Sequence, residues 1–151
     1  MVQKQLPYAA LIKQLSTEIQ KRADAALQES DLTMTQMYFL GALSHLPGCA
    51  ATLKELERHF RVAQSTAAGV AARLEKKGLV ESVPDETDRR VKRVRVTDAG
   101  ADTLRHAIET MERSERQMLA PLTDAEQETL LSLLRRVHSA LRREEGAWPC
   151  P

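Results

Sequence analysis

The chain has 151 residues, 42% of them apolar, 28% charged and 3% aromatic, at a mean hydropathy of -0.39, enough to bury the core of one soluble domain. Twenty-two Lys and Arg against 21 Asp and Glu leave a net charge of +1, so any site for a polyanion must be a local concentration of charge. The two cysteines, Cys49 and Cys150, and the four scattered histidines, His45, His59, His106 and His138, give neither a disulfide framework nor a metal-ligand spacing. No apolar run approaches the roughly 18 residues of a membrane span, and the N-terminus has no apolar signal core. A cytoplasmic protein with no metal, no cofactor and no membrane partner is expected.

In chain order, Leu11, Leu15, Ile19, Ala23 and Leu27 form an i, i+4 ladder that predicts a helix over Tyr8 to Gln28, with Pro7 suited to its first turn. Met34, Met37, Tyr38, Leu40, Leu43 and Leu46 predict a second helix from Thr33 to Leu46, ended by Pro47-Gly48. Thr52 with Glu55 three residues on is a capping-box pattern that opens a short helix through Phe60. After the tight connection Arg61-Val62-Ala63, a further helix runs from Gln64 or Ser65 to about Lys77, where Gly78 suits a left-handed cap. Leu79–Val83 and Lys92–Val96 are short, β-branched segments around the charged stretch Pro84 to Arg90, which predicts a two-stranded hairpin with a long tip. Thr97 caps a long helix from Asp98 that Pro121 breaks, and Thr123 with Glu126 repeats the capping box before a last helix striped by Leu130, Leu133, Leu134, Val137 and Leu141. The tail from Gly146 to Pro151, with Trp148, has no periodicity and is expected to fray.

The predicted class is mainly α: a winged helix-turn-helix, helices plus a two-stranded β-hairpin wing, with N- and C-terminal helices forming a dimerisation domain. The domain assignment is 1-31 and 98-145 as helical dimerisation arms and 32-97 as the DNA-binding domain. Neither arm can bury its apolar stripe on so small a centre, which makes a partner chain the economical answer. Charge follows the same division. Thr52 to Val96 holds 11 basic and 7 acidic residues, net +4, against 11 basic and 14 acidic elsewhere, net -3, the local excess that phosphate contacts require.

Leu74-Glu75-Lys76-Lys77-Gly78-Leu79-Val80, then Asp88-Arg89-Arg90, then Val94-Arg95-Val96-Thr97-Asp98-Ala99-Gly100 together resemble the multiple antibiotic resistance regulator (MarR) family over nearly the whole chain. The resemblance implies a homodimeric transcription factor, a repressor, whose recognition helix enters the major groove of double-stranded DNA. It further implies a wing in the neighbouring minor groove and release by a small aromatic or apolar acid. On the same resemblance Gln64, Ser65 and Thr66 match the start of the recognition helix, and Arg73 a basic position that can hold a phosphate. Arg89 matches the wing-tip arginine, and Asp88 and Arg90 the pair that shapes the wing. Relatives carry Thr and Arg where this chain has Ala68 and Gly69, and Asp where it has Ala72. The long side chain for a guanine contact is therefore missing at Gly69, and phosphate contacts and DNA shape are expected to carry more of the affinity.

The same residues also have plainer roles. Gln64, Ser65 and Thr66 can serve as a helix cap, and Arg89 to Arg95 as a solvated strand face. Met34, Tyr38, Phe39 and His45 lie where the resemblance implies an effector pocket, but the two aromatics and Met34 are also natural core residues. The alanine-rich recognition face would also suit a winged helix kept for protein–protein contact. Cys49, with no resolving cysteine near it in sequence, offers a weaker alternative as an oxidant sensor. No Ser, His and Asp grouping and no phosphate-cradling glycine loop is present, so no enzyme and no catalytic residue is expected.

Overall fold

The structure, a computed structural model, describes residues 8–144; Pro7, Cys150 and the tail with Trp148 lie outside them. In chain order it has α1 (Tyr8–Gln28), α2 (Met34–Ser44), a 3-10 turn (Pro47–Cys49), β1 (Ala50–Thr52), α3 (Leu53–Phe60), α4 (Gln64–Lys76), β2 (Val80–Pro84), β3 (Lys92–Val96), α5 (Asp98–Leu119) and α6 (Asp124–Glu144). The helix starts are set by their caps. Thr33, Thr52 and Thr123 each accept from the backbone N–H three residues on, while Gln36, Glu55 and Glu126 reach back to the cap N–H. The Thr97 hydroxyl accepts from Gly100 N at 3.1 Å to open α5.

Two departures from the sequence expectation have local causes. The second helix stops at Ser44 rather than Leu46, because Leu46 precedes Pro47 and is extended, at φ -89° and ψ 155°; a residue before proline is pushed out of the helical region. The sheet also has three strands in the order β1-β3-β2, not two. β1 pairs antiparallel with β3, Ala50 opposite Arg95 and Thr52 opposite Arg93. Three residues carry no readable period, and the partner strand lies some forty residues away. The hairpin itself is as expected, Val80 opposite Val96 and Pro84 opposite Lys92.

By compactness the chain divides into two units, one through Ser114 and one from Glu115, the boundary falling within α5. In the first, Leu40, Leu43, Leu56 and Leu74 are wholly buried, and Leu27, Leu79, Val94, Leu104 and Ala107 join the same core. The C-terminal end of α1 and the first half of α5 therefore pack on the winged helix. Gly78, at φ +72°, turns the chain from α4 into β2, and Leu79 N donates back to Leu74 O at 3.0 Å. α5 then passes so close that a Cβ on Gly100 would lie 2.0 Å from Leu79 O, which is why a glycine stands there. Earlier in α1, Leu11, Leu15 and Ile19 are 45–51% exposed. In the second unit the α6 stripe Leu130, Leu133, Leu134, Val137 and Leu141 is 38–57% exposed. Among the described residues no helix is long and apolar enough to cross a membrane.

Candidate nucleic-acid interface

Two elements of the first unit present uncommitted polar and basic groups: the exposed side of α4 and the loop between β2 and β3. The turn into α4 is made by Arg61, left-handed at φ +51°, and by Val62, which packs against the core. α4 buries Ala67, Val70, Ala71 and Leu74 and leaves Gln64, Ser65, Thr66 and Arg73 exposed. Its N-cap residue is Ala63, which makes no side-chain cap bond. The polar trio thus does not cap the helix, and no side chain satisfies the first amides, which lie at the positive end of the helix dipole.

The loop after Pro84 is organised by a residue that sequence reasoning passed over. Asp85 Oδ1 accepts from Thr87 N at 2.9 Å, from Thr87 Oγ1 at 2.6 Å and from Asp88 N at 3.1 Å, while Asp85 Oδ2 accepts from Arg93 Nη1 at 3.1 Å. These donors, the Thr87 hydroxyl foremost, hold the Asp85 carboxyl far below the usual carboxylate range. Arg93 also donates through Nη2 to Ala50 O at 2.8 Å and stands 3.9 Å from Glu55 Oε2. One guanidinium therefore ties the loop to β1 and to α3. The Asp-Glu-Thr-Asp sequence after a proline is a turn signal, and it was the available clue.

Asp88 accepts from the Arg90 backbone N–H at 3.0 Å, so the expected pairing of these two is through the main chain and shapes the loop. Arg89 and Arg90 are exposed, and neither guanidinium has an ion-pair partner among the described residues. The loop is closed by Asp85 N to Val91 O and Val91 N to Asp88 O, both 2.9 Å.

Beside the end of α4 lies a cleft of about 560 Å³, between Gln28, Asp31 and Thr33 on one side and Arg73, Lys76 and Lys77 on the other. Lys77 Nζ is committed: it donates to Asp31 O, pairs with Asp31 Oδ2 at 3.2 Å and reaches the buried Gln36 Oε1 at 3.4 Å. Arg73 is not.

Of the expected effector residues, Met34, Tyr38 and His45 share one side of α2 and its C-cap, with Tyr38 59% exposed. Phe39 points the other way, 2% exposed and stacked on Phe60 with ring centroids 5.5 Å apart; it is a core residue and does not share a cavity wall with Tyr38. Cys49 is exposed in the 3-10 turn, its Sγ 3.7 Å from Ser44 O. Among the described residues no group of three or more His, Cys, Asp or Glu is placed to hold a metal ion.

Comparison with known proteins agrees with this architecture. Residues 30–91 match the model of the MarR family. The HTH-type transcriptional regulator YybA of Bacillus subtilis is 28% identical over 117 residues, 78% of this chain and 77% of that protein. The transcriptional activatory protein BadR of Rhodopseudomonas palustris is 34% identical over 100 residues, 65% of this chain and 54% of that one. Among solved structures, MepR, a transcription regulator of the Staphylococcus aureus multidrug efflux pump MepA, superposes with a TM-score of 0.77 at 23% identity, over 90% of this chain and 99% of that one. MepR in its DNA complex gives 0.76 at 24% identity, over 89% and 99%. These structural likenesses show the fold, a winged helix-turn-helix, and the sequence matches show a similarity to the MarR family of transcriptional regulators over residues 30–91.

Proposed function

We propose that the protein is a homodimeric repressor that binds a pseudo-palindromic operator in double-stranded DNA. Two α4 helices enter successive major grooves, at half-sites about 34 to 36 Å apart. Gln64, Ser65, Thr66 and Arg73 meet the DNA from α4. Arg89 enters the minor groove from a loop whose shape Asp88 and Arg90 maintain. The observation that carries the reading is the exposed side of α4: no side chain caps its N-terminus, and Gln64, Ser65 and Thr66 have no side-chain hydrogen bond among the described residues, while its opposite side is buried. That is how a helix start offers donors to phosphate and base edges.

The exposed stripes of α1 and α6 support the homodimer, because apolar rows of this length are stable in water when a second copy covers them. Residues 1-31 and 98-145 form the dimerisation arms and 32-97 the DNA-binding domain. A small aromatic or apolar acid touching Met34, Tyr38 and His45 would release the operator by changing the angle between the arms and so the spacing of the two α4 helices. The work is done in the cytoplasm.

The test is binding of the full chain to duplexes from the intergenic region beside its own gene, at rising salt, with and without small aromatic acids. Affinity that falls steeply and linearly on a log–log salt plot supports DNA binding. Retention of a protein partner with no affinity for any duplex would instead assign the winged helix to protein–protein contact.

A further inference from the structure

We infer that Arg73 reads a base, not only the phosphate backbone, and that Gly69 leaves its guanidinium unscreened over the middle of the recognition helix. The inference rests on the DNA-binding reading above and deepens it. Gly69 lies on the side of α4 away from Ala67, Val70, Ala71 and Leu74. A Cβ built there would stand 3.7 Å from Arg73 Nη2. Helical side chains lean toward the N-terminus and over the residue four positions earlier, so the long Arg73 side chain ends beside position 69. Its neighbours on that side, Ala68 and Ala72, are too short to screen it.

Nothing among the described residues holds the guanidinium. The Asp31 carboxylate across the cleft is taken by Lys77 at 3.2 Å, and Glu75 accepts from Ser82 N at 3.0 Å. The Arg73 guanidinium has no hydrogen bond or ion pair among the described residues. A free five-donor fork over the centre of a groove-facing helix matches the O6 and N7 acceptors of guanine. In this chain the guanidinium expected from residue 69 is thus delivered from residue 73. Discrimination at one base pair per half-site is thereby kept.

The full-length protein is used to select from random duplexes about 30 base pairs long, sufficient for two half-sites one turn apart. Affinities for the selected duplex and its single-base variants are then measured for the wild type, Arg73→Ala, Arg73→Lys and Gly69→Leu. The wild type should enrich one guanine in each half-site. Arg73→Ala should lose about 5- to 150-fold on that duplex, the range of one bidentate base contact, with little loss where the guanine is already replaced. Arg73→Lys should not restore the preference, because an ammonium cannot make the forked contact. Gly69→Leu covers the guanidinium and should relax the same base pair.

Uniform weakening by Arg73→Ala on all duplexes, with the salt slope reduced by about one, would make Arg73 a phosphate contact and overturn the inference. So would wild-type binding that enriches no guanine, with DNA binding itself intact. Failure of the wild type to bind any duplex at low salt would remove the DNA-binding reading and this inference with it. If Gly69→Leu does not fold, Arg73→Ala against Arg73→Lys decides.

Discussion

Replacing Gly100 by Ala should destabilise the protein although alanine is the better helix former. The new Cβ would lie 2.0 Å from Leu79 O, 2.9 Å from Leu79 C and 3.0 Å from Val96 Cγ1. A carbon and a carbonyl oxygen in contact normally stand about 3.3 Å or more apart, so roughly 1.3 Å must be gained by moving backbone. The oxygen cannot swing away freely, because it accepts from Thr97 N at 3.1 Å, and Leu79 N is itself bonded to Leu74 O at 3.0 Å. Losing that hydrogen bond costs about 1 kcal/mol, and forcing apart a packed contact about 1 to 3 kcal/mol. The Gly-to-Ala helix gain of about 0.5 to 1 kcal/mol offsets part of this. The net loss is about 2 kcal/mol, or a fall of roughly 4 to 8 °C in Tm for a chain of this size. Circular dichroism melting at one fixed protein concentration is the assay, since self-association raises Tm with concentration. Gly69→Ala is the control: its Cβ meets only Arg73 Nη2, at 3.7 Å, so Tm should rise. A Gly100→Ala midpoint equal to or above wild type, or the same direction of shift for both variants, would refute the reasoning.

Arg89→Ala should cost about 1 to 3 kcal/mol of operator affinity with Tm unchanged, because the exposed side chain has no partner among the described residues; a large fall in Tm would contradict this. Since the folded-state pKa of Asp85 is depressed, its contribution to stability is complete above the ordinary carboxylate pKa of about 4 and is lost as pH falls below it. Asp85→Asn should therefore lower stability at neutral pH and flatten the acid side of the stability curve, as followed by urea unfolding at several pH values; an unchanged curve would show that the loop is held by other bonds. Leu134→Glu, on the exposed α6 stripe, should convert a species of twice 16.9 kDa into one of 16.9 kDa in light scattering at micromolar concentration, and a wild type already at the lower mass would end the dimer reading. Thr123→Ala removes one side of the last capping box and should cost about 1 kcal/mol, read as a lower Tm.

Much of this fold is written in short-range signals. The spacing of Leu11, Leu15 and Ile19 and the capping pairs Thr52 with Glu55 and Thr123 with Glu126 act within one or two helical turns, as does the glycine cap at Gly78, so the sequence alone located the helices. Alternation at Val94 and Val96 together with the charged tip was enough for the hairpin. What depends on residues distant along the chain was not legible. β1 exists because Ala50–Thr52 meets Arg95–Arg93. Phe39 and Tyr38 are neighbours in sequence, yet packing on Phe60 sends one ring into the core while the other stays in water. Arg93 reads as one more basic residue in a charged strand until the sheet brings Asp85, Ala50 and Glu55 to its guanidinium. Likewise Gly69 reads as a missing contact, and only the helix in three dimensions lays the Arg73 side chain back across it. Periodicity and caps are properties of a segment, whereas the partners of a side chain are chosen by the packing of the whole domain.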